Sequence, residues 1–165
     1  RGDCRAAMTV DLPDLAAMEA FGARIAAVLR VGDVVALSGG LGAGKTTLAR
    51  AIISALGHQG EVPSPSFAII ETYDPPALRL PLVHADFYRL ADPREVEELG
   101  LEDYRAGAAL LAEWPDHAGG FAHEPGCLSI TLESSLENVG SEDVGEGRIA
   151  IVEPGSDWLG RMPCP

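Results

Sequence analysis

VVALSGGLGAGKTTLAR, residues 34–50, places a short apolar run directly before a glycine-rich loop and a helical pattern directly after it. Val34 to Leu37 has the length and composition of a buried strand. Gly39 to Thr46 fits G-x-x-x-x-G-K-[ST] at every fixed position. Each requirement of that pattern has a physical reason. Glycines let the backbone fold into a cradle whose N–H groups point inward at phosphate oxygens. The helix that begins near Lys45 adds the positive end of its dipole to the same anion. Lys45 offers a mobile point charge to the β and γ phosphates, and Thr46 offers a hydroxyl to Mg²⁺. The predicted phosphate-binding residues are Gly39, Gly40, Leu41, Gly42, Ala43, Gly44, Lys45, Thr46 and Thr47.

Moving outward toward the N-terminus, Leu15, Met18, Phe21, Gly22, Ile25, Val28 and Leu29 recur at helical spacing, so residues 13–29 read as an amphipathic helix with Asp11 and Asp14 near its start. Met8 to Val10 reads as a short strand, and residues 1–7 as a disordered lead-in. Toward the C-terminus, Leu48, Ile52, Ile53 and Leu56 share one face of a helix over 45–56, closed by Gly57. Residues 67–73 are β-rich, 74–81 form a Pro-rich turn, and Leu82 to Asp86 is a further strand. Asp92-Pro93-Arg94-Glu95 is a helix start with a capping Asp, and Gly100 ends that helix. Ala109 to Trp114 reads as a strand ending in Glu113. Strands over 127–133 and 148–153 flank an acidic Ser- and Gly-rich hairpin loop, 134–147. Strand, helix, loop strand, helix and several more strands predict one α/β domain over residues 8–160. Its expected form is a three-layer sandwich around a central mixed β-sheet, of P-loop NTPase type.

The formal net charge of −13 opposes an extensive nucleic-acid contact, because phosphate backbones are met by clustered Lys and Arg. A protein partner is the more natural ligand of such a surface. No run of 18 apolar residues occurs, so no membrane helix is expected. Cys4, Cys127 and Cys164 lie far apart with no CxxC spacing. They read as neither a zinc site nor a disulfide framework, in keeping with a reducing cytoplasm.

Two carboxylates end strands. Asp86, at a strand's carboxyl end, faces the crevice where open α/β sheets bind ligands and is a candidate Mg²⁺-holding acid. Its other reading is an ordinary loop carboxylate. Glu113 reads either as a metal ligand or orienter of the attacking water, or as a strand-end surface residue. Ser66, in the stiff SPSF loop, is a candidate for the γ-phosphate or metal, or belongs to a plain turn. His84 reads as a packed core residue.

Taken together, GGLGAGKTT, SPSF, HADFYRLADP, EELGLEDY and AEWP closely resemble the TsaE (YjeE) family of bacterial P-loop ATPases, over Leu12 to about Leu132. The P-loop is shared by a vast class, whereas Asp-Phe-Tyr-Arg-Leu followed by Glu-Trp-Pro is far more specific. The resemblance implies an ATP- and Mg²⁺-dependent ATPase needed for threonylcarbamoyladenosine (t6A) at position 37 of tRNAs reading A-starting codons. It implies action on the protein pair TsaB and TsaD, which ATP binding and hydrolysis reset between turnovers. It also implies that Lys45 contacts the phosphates, that Thr46 ligates Mg²⁺, that Asp86 is the Walker B-type acid and that Glu113 completes the metal site or orients water. The chain departs from the family at Gly40, where Asp is usual, at Ser66, where Thr is usual, and at Met18, where a Thr often lies near the adenine. Arg148 aligns with a C-terminal Arg near the nucleotide. No arginine finger stands out, so hydrolysis is expected to be slow alone and stimulated by partners. Two other uses of the same loop remain open: a small-molecule kinase, with 73–81 as its spare acceptor segment, and a module that uses ATP only as glue for docking.

Overall fold

The computed structural model describes residues 7–63, 70–134 and 147–164. Seven strands alternate with four helices in the order β1 (Met8–Leu12), α1 (Leu15–Val28), β2 (Val34–Ser38), α2 (Lys45–Ala55), β3 (Ile70–Tyr73), β4 (Leu82–Asp86), α3 (Glu95–Leu99), α4 (Leu101–Arg105), β5 (Ala109–Glu113), β6 (Cys127–Ser134) and β7 (Arg148–Pro154). All strands join one sheet, ordered β1-β7-β6-β2-β5-β4-β3. The centre is parallel: β2 pairs with β5 and β6, and β4 pairs with β5. The flanks are antiparallel, with β3 on β4, β7 on β6 and β1 on β7. The sheet is therefore mixed, as the sequence predicts. The connection between β6 and β7, residues 135–146, lies outside the described residues.

Val34, Val35, Ala36 and Leu37 are all buried because both faces of β2 are covered. Val35 and Leu37 pack with Phe21 and Ile25 of α1 and Leu48 and Ile52 of α2. Val34 and Ala36 point the other way, into a cluster with Phe87, Leu101 and Phe121 under α3 and α4. This two-residue alternation makes the three layers.

Asp14 caps α1 by accepting from the Ala17 N–H at 2.8 Å. Gly22 lets α1 and α2 touch: a Cβ there would lie 2.6 Å from the Ala51 Cβ. The far end of α1 is held by Arg79, whose guanidinium donates to the carbonyls of Ala26 at 2.6 Å and Leu29 at 3.0 Å. Leu78 and Leu80 beside it are buried. The 73–81 segment, the spare stretch a kinase acceptor site would need, is thus tied into the core under α1.

Three details differ from expectation. Asp92 accepts from the Arg94 N–H at 2.9 Å, but the helix starts only at Glu95. Gly100, in the left-handed conformation at φ 73, ends it as predicted; buried Leu101 then nucleates a second short helix that the sequence pattern did not reveal. Cys127 is a free, buried thiol, whereas Cys164 is disulfide-bonded. That corrects the reading from spacing, because separation along a chain does not set separation in space. Among the described residues no helix is long and apolar enough to cross a membrane.

Candidate nucleotide site

Three parallel strands, β2, β5 and β4, lie side by side and end at the same edge of the sheet. The glycine-rich loop leaves β2, Glu113 closes β5 and Asp86 closes β4. Glu113 is the register partner of Leu37 on one side and of Asp86 on the other. The two acids that the sequence singles out are therefore cross-strand neighbours beside the loop.

The loop backbone needs its glycines at particular places. Gly39, Gly42 and Gly44 have φ of 139, 74 and 103, a region that costs any other residue free energy. Gly39 is doubly required, since a Cβ there would meet the Leu132 carbonyl oxygen at 2.5 Å. Gly44 caps α2 without a side-chain bond, so the first N–H groups of the helix stay turned toward the loop. Arg148, at the start of β7, braces the cradle from outside by donating to the carbonyls of Ala43 and Gly42, each at 3.0 Å. Met18 is buried, with its methyl 3.2 Å from where a Cβ on Gly44 would stand. It supports the loop from beneath. Gly40 has no heavy atom within 4 Å of its would-be Cβ. Leu41 is exposed, and Thr47 lines a groove between α1 and α2 with Leu15, Glu19 and Arg50.

Lys45 is buried, and its ammonium donates to the carbonyls of Gly39 at 2.8 Å and Gly40 at 2.6 Å. The same nitrogen sits 4.2 Å from the centre of the Trp114 ring. Burial lowers its pKa, while the charges of Glu113 and Asp86 pull the other way. The Thr46 hydroxyl donates to Glu113 Oε1 at 2.8 Å. Because an ionised carboxylate only accepts, the hydrogen is engaged there and the Thr46 lone pairs remain available to a cation. Glu113 Oε2 takes a second bond, 2.7 Å long, from Nε2 of fully buried His84. Asp86 accepts from the Tyr88 N–H at 3.0 Å. Burial pushes the Asp86 carboxyl upward, opposed by the Tyr88 N–H and reinforced by the charge of Glu113.

The expected residues Gly39 to Thr47, Asp86 and Glu113 are thus brought to one edge, whereas Ser66 lies outside the described residues. Glu113, rather than Asp86, is the acid bonded to Thr46, which shifts emphasis between the two. The donor set is oxygen-only: a hydroxyl and two carboxylates. Among the described residues no group of three or more His, Cys, Asp or Glu could cage a metal alone. Such a set fits Mg²⁺, which is ordinarily held by one or two carboxylates together with phosphate oxygens and water.

Two residues of the site have contacts that the sequence reading did not assign them. His84 is buried as expected, yet it bonds a candidate catalytic acid; its place two residues before Asp86, on the same face of β4, was the available signal. Trp114 has φ 55, and its ring packs 5.0 Å from Tyr88 and 5.3 Å from His117 between centroids. It stands in the Glu-Trp-Pro block that carries the resemblance, but nothing in the sequence placed its ring against Lys45.

The family model described as threonylcarbamoyl adenosine biosynthesis protein TsaE matches residues 12–153. A protein named tRNA threonylcarbamoyladenosine biosynthesis protein TsaE from Haemophilus influenzae is 38% identical over 127 residues, covering 73% of this chain and 79% of that one. The protein of the same name from Mycobacterium leprae is 40% identical over 133 residues, covering 76% and 79%. The crystal structure of YdiB from Bacillus subtilis superposes with a TM-score of 0.71 at 27% identity, covering 95% of this chain and 93% of that one. With the glycine cradle, its lysine and the strand-end acids in place, these matches settle the assignment: the chain belongs to the TsaE family, P-loop proteins of threonylcarbamoyladenosine biosynthesis.

Proposed function

We propose that residues 8–160 form one unit that binds ATP with Mg²⁺ and hydrolyses it to ADP and phosphate, in service of t6A formation at position 37 of tRNAs reading A-starting codons. Its direct targets in this reading are the TsaB and TsaD proteins. The observation that carries the chemical part is the Thr46–Glu113 hydrogen bond, which joins the phosphate loop to a strand-end acid.

Phosphoryl transfer asks for positioning and charge neutralisation more than for covalent help. The backbone N–H groups of 39–46 receive the phosphates. Lys45 exchanges its bonds to the neutral carbonyls of Gly39 and Gly40 for stronger, charge-assisted bonds to the β and γ oxygens, within the reach of one flexible stem. Thr46, Glu113 and Asp86 would hold Mg²⁺, which would supply charge neutralisation to the bound phosphates. Glu113, whose two oxygens each keep a free lone pair beside their hydrogen bonds to Thr46 and His84, would complete that metal site or, in its place, orient the attacking water. Arg148 is engaged with the carbonyls of Gly42 and Ala43, so it braces the loop instead of serving as an arginine finger. With Arg148 so engaged, this reading expects intrinsic hydrolysis to be slow and the partner complex to quicken it.

The test is reconstituted t6A formation on tRNA with the TsaB–TsaD pair, comparing the wild-type chain, Lys45→Ala and no addition. Repeated turnover only with the wild type is expected. Equal product in all three reactions, although the wild type binds ATP, would refute the partner role.

A further inference from the structure

Glu113 is held at both ends. Oε1 receives the Thr46 hydroxyl and Oε2 receives His84 Nε2. The carboxylate is 1% exposed and His84 fully buried, so water competes for neither bond. Among the described residues, Nδ1 of His84 is buried with no hydrogen-bond partner. An unpartnered buried nitrogen is destabilising, and a phenyl ring of similar size would avoid that cost in the same apolar strand. The histidine is therefore worse for packing than an apolar ring, and its one polar contact runs to the acid beside the phosphate loop. His84 and Glu113 sit on adjacent strands two register steps apart, since His84 pairs with Leu111 and Asp86 with Glu113. Only a side chain long enough to reach diagonally along the sheet makes the bond.

We propose that His84 is a positioning residue: its Nε2–H fixes the Glu113 carboxylate so that Oε1 draws the Thr46 hydroxyl hydrogen and leaves the Thr46 lone pairs facing the cation site. The inference rests on the nucleotide-binding reading above. Without the His84 bond, the Glu113 carboxylate is free to rotate about its terminal torsion, and the Thr46 hydroxyl loses a defined acceptor.

The chemistry chooses the variants. Glutamine carries an amide N–H the same number of bonds from Cβ as histidine Nε2, with its Oε1 as the second buried polar atom in place of Nδ1. Asparagine is one atom short. Phenylalanine keeps the ring and has no donor. Two quantities are measured on each folded variant: the affinity for a fluorescent ADP analogue with and without Mg²⁺, and the kcat and KM of ATP hydrolysis. In His84→Phe and His84→Asn, Mg²⁺-free binding is expected to stay at the wild-type level. Their Mg²⁺-dependent gain in affinity and their kcat should each fall by about 10–100-fold, the usual effect of losing a partner behind a metal ligand. His84→Gln is expected to restore both. Glutamine and phenylalanine variants that match each other, whether active or impaired, would overturn the proposal in favour of simple packing. Should His84→Phe fail to fold, the asparagine and glutamine pair makes the same comparison. A wild-type chain that bound no nucleotide would instead overturn the reading beneath, and this inference with it.

Discussion

Thr46 and Glu113 are 67 residues apart in the chain and 2.8 Å apart in the fold, hydroxyl to carboxylate. That bond links the start of α2 to the end of β5, and the parallel pairing of β2 with β5 is what brings them together. Glu113→Ala removes the acceptor from Thr46 and strands His84 Nε2–H in a dry site. ATP turnover should fall by about 10²-fold or more, the scale of a lost acid–base or water-positioning group, while nucleotide still binds. Single-turnover hydrolysis checks this directly. Wild-type hydrolysis in the variant would place Glu113 outside the chemistry.

Asp86 carries its charge in a half-closed site next to another carboxylate, and burial pushes its carboxyl upward. Charge there works against folding until a cation arrives. Asp86→Asn keeps an oxygen for the Tyr88 N–H and deletes the charge. Without nucleotide at neutral pH it should be more stable by about 0.5–2 kcal/mol, and each kcal/mol raises Tm by roughly 2–4 °C for a chain of this size. Its Mg²⁺-dependent hydrolysis should drop. A variant that melts below the wild type would show that the carboxylate is compensated in the apo fold.

Much of this was legible beforehand. The loop motif fixes which strand feeds which helix, and the order of strands and helices implied the layered sandwich. The edge on which Asp86 and Glu113 stand followed from strand-end position. The bonds of His84 and the stacking of Lys45 on Trp114 were not legible, because they depend on register between strands distant in sequence, which local pattern does not encode. The break between α3 and α4 was half visible: Gly100 announced a stop, and only the buried place of Leu101 explains the restart.

Glycine contacts give a paired prediction. Gly22→Ala would drive a methyl to 2.6 Å from the Ala51 Cβ and 3.1 Å from helix backbone, so α1 must move off α2. Overpacking of this kind costs about 1–3 kcal/mol. Gly40→Asp, which restores the residue usual in the family, meets nothing within 4 Å and should leave thermal stability near the wild type. Its carboxylate, beside incoming phosphates, should instead alter nucleotide affinity. Melting curves and nucleotide titrations on both variants separate the two effects; equal Tm losses would contradict the contact geometry.

Cys127 begins β6 with its thiol buried, 3.6 Å from the Ser129 hydroxyl. Burial pushes the thiol up, against the smaller opposing pull of that hydroxyl. In a window above the ordinary thiol value of about 8.5, the unfolded chain has lost this proton while the native chain keeps it. The native state then binds more protons than the unfolded state, so stability must fall as pH rises through that window. The contribution is fully present below the unfolded value and disappears above the folded one. Cys127→Ala lacks the group, so its urea-unfolding free energy should decline less steeply than that of the wild type between pH 8 and pH 10, values chosen to bracket about 8.5. In the same native samples at pH 8, iodoacetamide should leave Cys127 unmodified and label it only once urea has unfolded the chain. Parallel slopes for the two proteins, with rapid native labelling, would mean that the thiol is reached by water and that the base of β6 opens readily.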